Sequence, residues 1–449
     1  MRYIIAILVL SALAHFVFWG SPNSVVFDEV HFGKFISGYF TGEYFFDIHP
    51  PLGKLLISAT GFLAGFVPGF GFKTIGDSFT DTIYMWLRLL PMLAGTVIPL
   101  IGYLLARELK ISKISSFLIG LLLVFENSLL VQSRFILLDS FLLLFGFSSL
   151  LIYLISKRKK SLGLFTLSIA LASLALSVKW TGGSFLAIIG IFELVQLIKN
   201  HARLKEYIYK SAIISALPLL IYFSIFWVHF YLLDKSGPGD AFMTPEFQKT
   251  LEGSPYAENS DVKPHNLIFK FVELNGEMYR ANQGLKAEHS YSSKWYTWPS
   301  MEKPIYYWND RVSDATEARI YLLGNPIIYW LSLLAIVYLL SLGLLRDKLF
   351  KESKETGIFI LAGFLINLLP FIFIGRVMFL YHYFSALVFA IIAIGYLVDR
   401  IKKPKDKKRV VVSIVALAII SFLFFSPLSY GLPLTQEHYD LRIWLNSWR

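Results

Sequence analysis

Long apolar runs dominate the chain, broken by short segments that hold most of its charge. A hydrocarbon layer about 30 Å thick needs roughly 17 to 25 mostly apolar residues per crossing helix. Such runs lie near 3–19, 84–106, 114–131, 137–156, 161–178, 182–198, 211–233, 322–345, 357–375, 379–398 and 410–427. They lack the period-2 alternation of barrel strands, and only helices or closed barrels satisfy the backbone in lipid. The pattern predicts an all-α, polytopic membrane protein with about eleven transmembrane helices. Two stretches depart from it. In residues 20–83, Pro50-Pro51 opens a stretch with Leu52, Leu55, Leu56, Phe62, Leu63 and Phe66 at helical spacing, which predicts a helix lying in the membrane interface. Residues 234–321 are rich in Pro, Gly, Asn and aromatics, too short and polar to predict an independent fold. The expected organisation is an N-terminal membrane module over 1–233, a loop over 234–321, C-terminal spans over 322–427 and a tail over 428–449.

Composition sharpens this picture. Of 449 residues, 55% are hydrophobic and only 16% charged, where soluble domains carry about 25% charge. The absence of cysteine excludes a disulfide framework, a thiolate metal site and a cysteine nucleophile. A net charge of +11 taken alone suggests nucleic acid, but its placement argues otherwise. Arg2 and the segments 107–113, 157–160, 199–210, 346–354 and 400–409 hold 23 of the 42 Lys and Arg residues, all on one side of the predicted topology. Short basic loops mark the cytoplasmic side. The excess is therefore an orientation signal, with the amino terminus inside, the carboxyl terminus outside and no nucleic-acid partner expected. Met1-Arg2, the apolar run and Ala12-Leu13-Ala14 imitate a cleaved leader, but the run continues through Phe18 and Trp19 and is read as a retained span.

Candidate chemistry gathers at the outer edge. Asp28 and Glu29 stand between apolar residues just beyond the first span. Adjacent side chains diverge, so they cannot share a proton as a matched dyad. Either they are a solvated loop pair, or one acts as a general base while the other orients or binds. At the same level lie Asp47, His49 and Lys54, then Arg134 with Asp139, Lys179, and Arg376 with Tyr381 and His382. Snorkelling accounts for any one basic turn; several on an otherwise less basic face favour a bound anion such as a lipid phosphate. The aromatic run Tyr291–Trp308 suits either interfacial packing or a lid. No P-loop, dinucleotide fingerprint, Asp-x-Asp or His-Glu-x-x-His occurs, so no nucleotide, metal or other cofactor is expected. These residues alone support an outward-facing enzyme or transporter that handles an anionic lipid. Charges clustered at one edge, with no internal repeat, weigh against the transporter.

The motifs Phe27-Asp28-Glu29-Val30-His31-Phe32-Gly33-Lys34-Phe35 and Phe45-Phe46-Asp47-Ile48-His49-Pro50-Pro51-Leu52-Gly53-Lys54 closely resemble those of the protein O-mannosyltransferases, membrane glycosyltransferases of the GT-C class. Arg134–Asp139, Ser177–Gly182, Tyr291–Pro299 and Tyr381–Phe384 are similar to further family blocks, so the resemblance runs from about residue 25 to 400. It implies an inverting transfer of mannose from a polyprenyl (dolichyl) phosphate to Ser or Thr of extracytoplasmic proteins, by a multi-pass protein whose site faces outward. Asp28 would be the base, and Glu29 would position the acceptor or support Asp28. Arg134 first, then Lys179 and Arg376, would bind the donor phosphate; His49, Lys54, Asp139, Tyr381 and His382 would line the site. The likeness also implies a dimer, for which the sequence carries no signature. Eukaryotic members carry a β-trefoil module that residues 234–321 are too short to hold, which points to a prokaryotic-type member. A relative acting on a glycolipid or cell-wall glycan would share these motifs.

Overall fold

The computed structural model describes residues 1–199, 204–284 and 289–449. The first half comprises α1 (Arg2–Phe16), α2 (Glu29–Thr41), α3 (Leu52–Leu63), α4 (Tyr84–Glu108), α5 (Lys113–Val124), α6 (Asn127–Ser133), α7 (Asp139–Lys159), α8 (Leu162–Val178), α9 (Gly183–Lys199) and α10 (Leu204–Leu232). After it come α11 (Pro245–Gln248), α12 (Leu267–Gly284), α13 (Pro326–Leu344), α14 (Lys348–Lys351), α15 (Lys354–Leu368), α16 (Phe384–Asp399) and α17 (Pro404–Tyr430). Every predicted run except 114–131 falls on one of these helices. Among the described residues, eight helical segments are long and apolar enough to cross a membrane, and α1 and α8 are shorter apolar helices. Part of the basic segment 199–210 lies outside the described residues.

The run expected as one span over 114–131 is instead a bent pair, α5 and α6, meeting at 57°. The break has a polar cause. Glu126 caps α6, accepting from Leu129 N at 2.7 Å and from Asn325 N at 2.8 Å. Asn325 in turn donates to the freed carbonyl of Phe125 at 2.9 Å and to Ala418 O at 2.9 Å. A helix break inside a bundle is tolerated when neighbouring groups satisfy the exposed backbone, and Asn325, itself the N-cap of α13, does so here.

As expected, Pro50-Pro51 opens a helix at Leu52; the far end of α3 leaves Phe62 75% and Leu63 83% exposed. Between α8 and α9 the chain reverses within a few residues. A Cβ at Gly182 would lie 2.3 Å from the Ala175 backbone, so this turn admits only glycine.

The fold is mostly helical but also holds a small antiparallel sheet, an addition to the all-α expectation. Strand β1 (Ile305–Arg311) pairs with β2 (Thr316–Leu322), and β2 pairs with β3 (Pro433–Thr435). The segment 234–321 and the tail are thus joined through one sheet. Buried Trp448 adds a further tie, donating from Nε1 to Met301 O at 2.8 Å. Within the aromatic run, Trp298, Tyr307 and Trp308 are buried in the core, whereas Tyr296 is exposed.

Candidate active site

The residues 27–29 turn the chain into α2 and send two neighbouring carboxylates in different directions. Glu29 is fully buried. Its oxygens accept from Arg88 Nε at 2.7 Å and Nη2 at 2.6 Å, from Val26 N at 2.8 Å and from Ile136 N at 2.9 Å. Arg88 spends its remaining contacts on Pro22 O and Ser24 O, at 2.7 and 2.8 Å. Bidentate geometry with extra backbone donors is what makes a buried ion pair tolerable. Glu29 is thereby corrected: its acceptor capacity is used up in holding the turn, leaving none for a substrate. Sequence reading missed Arg88, although a lone arginine inside an apolar run is itself a signal.

Asp28 contrasts with its neighbour. Its backbone carbonyl accepts the first bonds of α2, from His31 N and Phe32 N, while no group among the described residues hydrogen-bonds its carboxylate. Phe27, at φ +47°, stacks on Tyr307 with centroids 4.1 Å apart and fixes the turn. Burial pushes the Asp28 pKa up to about 7; Lys179 pulls it down, and Asp139 and Asp47 push it up again. A general base is most effective when its pKa lies near the working pH.

Asp28 does not itself line the cavity of about 380 Å³ on this face, but it feels the charges of Lys179 and Asp139, which do. The polar end of the cavity is formed by His49, Asp139, Lys179, Arg376, Tyr381 and His382. Leu142, Leu143, Ala187, Ile366, Phe371 and Ile374 give it apolar walls. Lys179, in the turn after α8, binds both oxygens of Asp139 at 2.8 and 2.9 Å, and its ammonium sits 5.1 Å from the Tyr381 ring centroid. Gln132 Nε2 donates to Asp139 at 2.6 Å and is itself held by the Tyr307 hydroxyl at 2.5 Å. Arg376 pairs with no carboxylate among the described residues; its nearest polar partner is His382 Nε2 at 3.4 Å. His382 Nδ1 lies 3.0 Å from Phe379 O, so a proton on Nδ1 lets Nε2 accept from Arg376. Burial, and then Lys179, Arg376 and Lys54, hold His49 well below the usual imidazole range, leaving it neutral at pH 7.

Two further predicted residues stand outside the cavity. Lys54 is 1% exposed, bonded to the Asp47 carboxylate, to His49 O at 2.9 Å and to Pro50 O at 3.3 Å. With all three ammonium protons engaged, it clamps the loop that presents His49. Arg134 is corrected from its expected place as first phosphate ligand. It is 4% exposed, donates to Ser429 O, Phe18 O and Ser21 O at 2.9 to 3.1 Å, and packs on the Tyr430 ring. Those bonds tie the end of α17 to the loop after α1, away from the cavity.

Residues 5–234 match the family described as dolichyl-phosphate-mannose-protein mannosyltransferase. The chain belongs to that family. Residues 267–448 match the C-terminal four-span region of protein-O-mannosyltransferase. Over 251 residues the chain is 38% identical to dolichyl-phosphate-mannose–protein mannosyltransferase 1 of Candida albicans, a match covering 52% of this chain and 28% of that protein. Protein O-mannosyltransferase 1 of Drosophila melanogaster is 39% identical over 249 residues, again 52% of this chain and 28% of the relative. These matches thus span less than a third of either relative. The Saccharomyces cerevisiae protein O-mannosyltransferase Pmt1–Pmt2 complex bound to the sugar donor superimposes with a TM-score of 0.91 at 21% identity, covering 100% of this chain and 92% of that one. The Archaeoglobus fulgidus oligosaccharyltransferase superimposes at 0.57 and 12% identity, covering 99% of this chain and 56% of that one. The fold is that of the mannosyltransferase family, with just over half of the oligosaccharyltransferase chain as a more distant likeness.

Proposed function

We propose that the chain transfers mannose from a polyprenyl (dolichyl) phosphate to Ser or Thr hydroxyls of proteins, on the extracytoplasmic side of the membrane and with inversion at the sugar. The observation that carries this reading is an unbonded carboxylate, Asp28, in electrostatic contact with Lys179 and Asp139 of a cavity that also holds Arg376 and has apolar walls. The relatives' names supply donor and acceptor. Polar cavity groups suit a phosphate, and Leu142, Leu143, Ala187 and Ile366 suit the start of a prenyl chain.

In this reaction the acceptor oxygen attacks the anomeric carbon as the bond from that carbon to the phosphate oxygen breaks, its electron pair leaving with the phosphate. The hydroxyl proton passes to Asp28 and then to water. Arg376 leads the stabilisation of the leaving phosphate because its charge is not neutralised by a carboxylate, with Lys179 second and already shared with Asp139. His49 and His382 complete the polar end, and Tyr381 carries the Lys179 ammonium on its ring. The scheme uses no cofactor. The short basic segments on the opposite side support the outward orientation. A second subunit belongs to the proposal by analogy with the Pmt1–Pmt2 complex.

The test uses purified full-length protein in lipid vesicles, radiolabelled polyprenyl-phosphate mannose and a Ser/Thr-rich peptide. Label on the peptide with the wild type and none with Asp28→Asn is expected. Transfer to an added membrane glycolipid instead would replace the acceptor assignment, and no transfer to either would overturn the reading.

A further inference from the structure

A second cavity, of about 260 Å³, lies at the other end of α7 and α8 from the active site. Helix α7 has 21 residues from Asp139 to Lys159, which at 1.5 Å per residue separates the two sites by about 30 Å, the thickness of the hydrocarbon layer. The cavity therefore sits at the headgroup level of the opposite leaflet. Its lining includes Lys157, Lys160, Ser161, Glu193, Tyr207 and Lys210.

The charges inside it are unevenly used. Glu193 is 5% exposed; it accepts from Tyr153 OH at 2.8 Å and from Lys210 Nζ at 2.9 Å. Lys210 also binds Glu206 at 2.9 Å, so one ammonium serves both glutamates. Lys157 and Lys160 pair with no carboxylate among the described residues, although Lys157 lies 5.5 Å from the Tyr153 ring centroid. Two cations are thus left facing a cavity whose lining also includes the apolar Leu162 and Phe165. Leu162 is 46% exposed at its edge, and Ile198 and Ile208, on the two helices that also contribute Glu193 and Lys210, are 61% and 57% exposed. A soluble anion gains nothing from that apolar surround, whereas a lipid uses both the cations and the rim.

We propose that this cavity takes the phosphate headgroup of an anionic membrane lipid, held by Lys157 and Lys160 with its glycerol end against Leu162 and Phe165. The site is separate from the transfer chemistry and does not rest on it.

Binding of phosphatidylglycerol and phosphatidylcholine to the purified full-length protein, read by native mass spectrometry, tests the idea. Both lysines are exposed, so Lys157→Gln with Lys160→Gln leaves the buried core intact and gives up only the Lys157 contact with the Tyr153 ring. Phosphatidylglycerol affinity should fall roughly 30-fold in that double variant, from two lysines near the surface. A matched control, Lys402→Gln with Lys403→Gln, removes the same charge from an exposed segment outside the cavity and should change it little. Equal losses in both variants would reduce the effect to general surface charge and overturn the site. Equal binding of phosphatidylcholine, or displacement of phosphatidylglycerol by millimolar inorganic phosphate, would overturn it as well.

Discussion

Replacing Asp28 by Asn separates two consequences that follow from the same partly buried carboxylate. As a base, Asp28 supplies a step typically worth 10²- to 10⁴-fold in rate, and Asn accepts no proton. As a desolvated charge it also strains the fold. Its pKa rises from 3.8 in the reference state to about 7 in the folded protein, so the folded state binds the proton more tightly than the unfolded one. That stabilising proton is fully present below pH 4 and is lost as the pH rises through 7. At pH 8 the ionised group costs up to about 4 kcal/mol, and nearer 2 with its partial exposure taken into account. The variant is therefore expected to lose transfer and yet unfold at a higher temperature than the wild type at pH 8. At pH 5.5 this advantage shrinks by about half, because protonation already relieves the wild type. Thermal unfolding in lipid at both pH values, beside the label-transfer assay, provides the check. A variant that is less stable at pH 8 would show Asp28 to be a structural cap; one that still turns over would remove it as the base.

The other expectations concern the charges around it. Wild-type kcat/KM should rise tenfold per pH unit below about 7 and level off above it; Lys179→Met should move that midpoint to higher pH and Asp139→Asn to lower pH, since the first charge lowers and the second raises the Asp28 pKa. Shifts in the opposite sense would refute the electrostatic assignment. Arg376→Gln should raise the donor KM about 10- to 100-fold with the thermal midpoint unchanged, while Arg134→Gln should lower the midpoint without a selective effect on donor; a donor-selective loss in the second variant would restore Arg134 as a phosphate ligand. Glu29→Gln should destabilise the protein by about 3–5 kcal/mol by stranding Arg88, and Glu29→Leu combined with Arg88→Met should be much milder. Unfolding midpoints that simply add would contradict a coupled pair.

The helices were legible because each crossing is a local property: a long apolar run has few other ways to satisfy its backbone. What escaped was whatever depends on a distant partner. The bend at Glu126 lies in a run that looks continuous, and its stabilising group, Asn325, stands almost 200 residues away in sequence. The pair Glu126-Asn127 inside the run was the available sign. The sheet escaped for a similar reason, since β3 is only three residues long and gains meaning from β2. At the site, residue type and edge position identified His49, Asp139, Lys179, Arg376, Tyr381 and His382, all of which meet around one cavity. They could not tell a satisfied charge from a free one, so nothing in the residues themselves argued against the family likeness that placed Arg134 and Glu29 among the reacting groups.

That distinction organises the whole outer face. Arg88 with Glu29, Lys54 with Asp47, and Arg134 with three carbonyls are buried charges whose bonds are complete. Each fixes a segment of loop that has no helical ladder of its own: residues 22–29, residues 47–51, and the join between α1 and the end of α17. A buried charge with its bonds complete has nothing to offer a substrate, because any new contact would require breaking one already made in low dielectric. Among the described residues Asp28 and Arg376 are the exceptions, one acceptor and one donor, each left without a carboxylate–cation partner of its own and both within reach of the charge on Asp47. Their opposite charges match the two ends of the proposed reaction: Asp28 takes the proton where the attacking oxygen becomes positive, and Arg376 meets the phosphate where negative charge collects. Reactivity here follows from incomplete bonding, and the rigid pairs around it are what make that incompleteness tolerable.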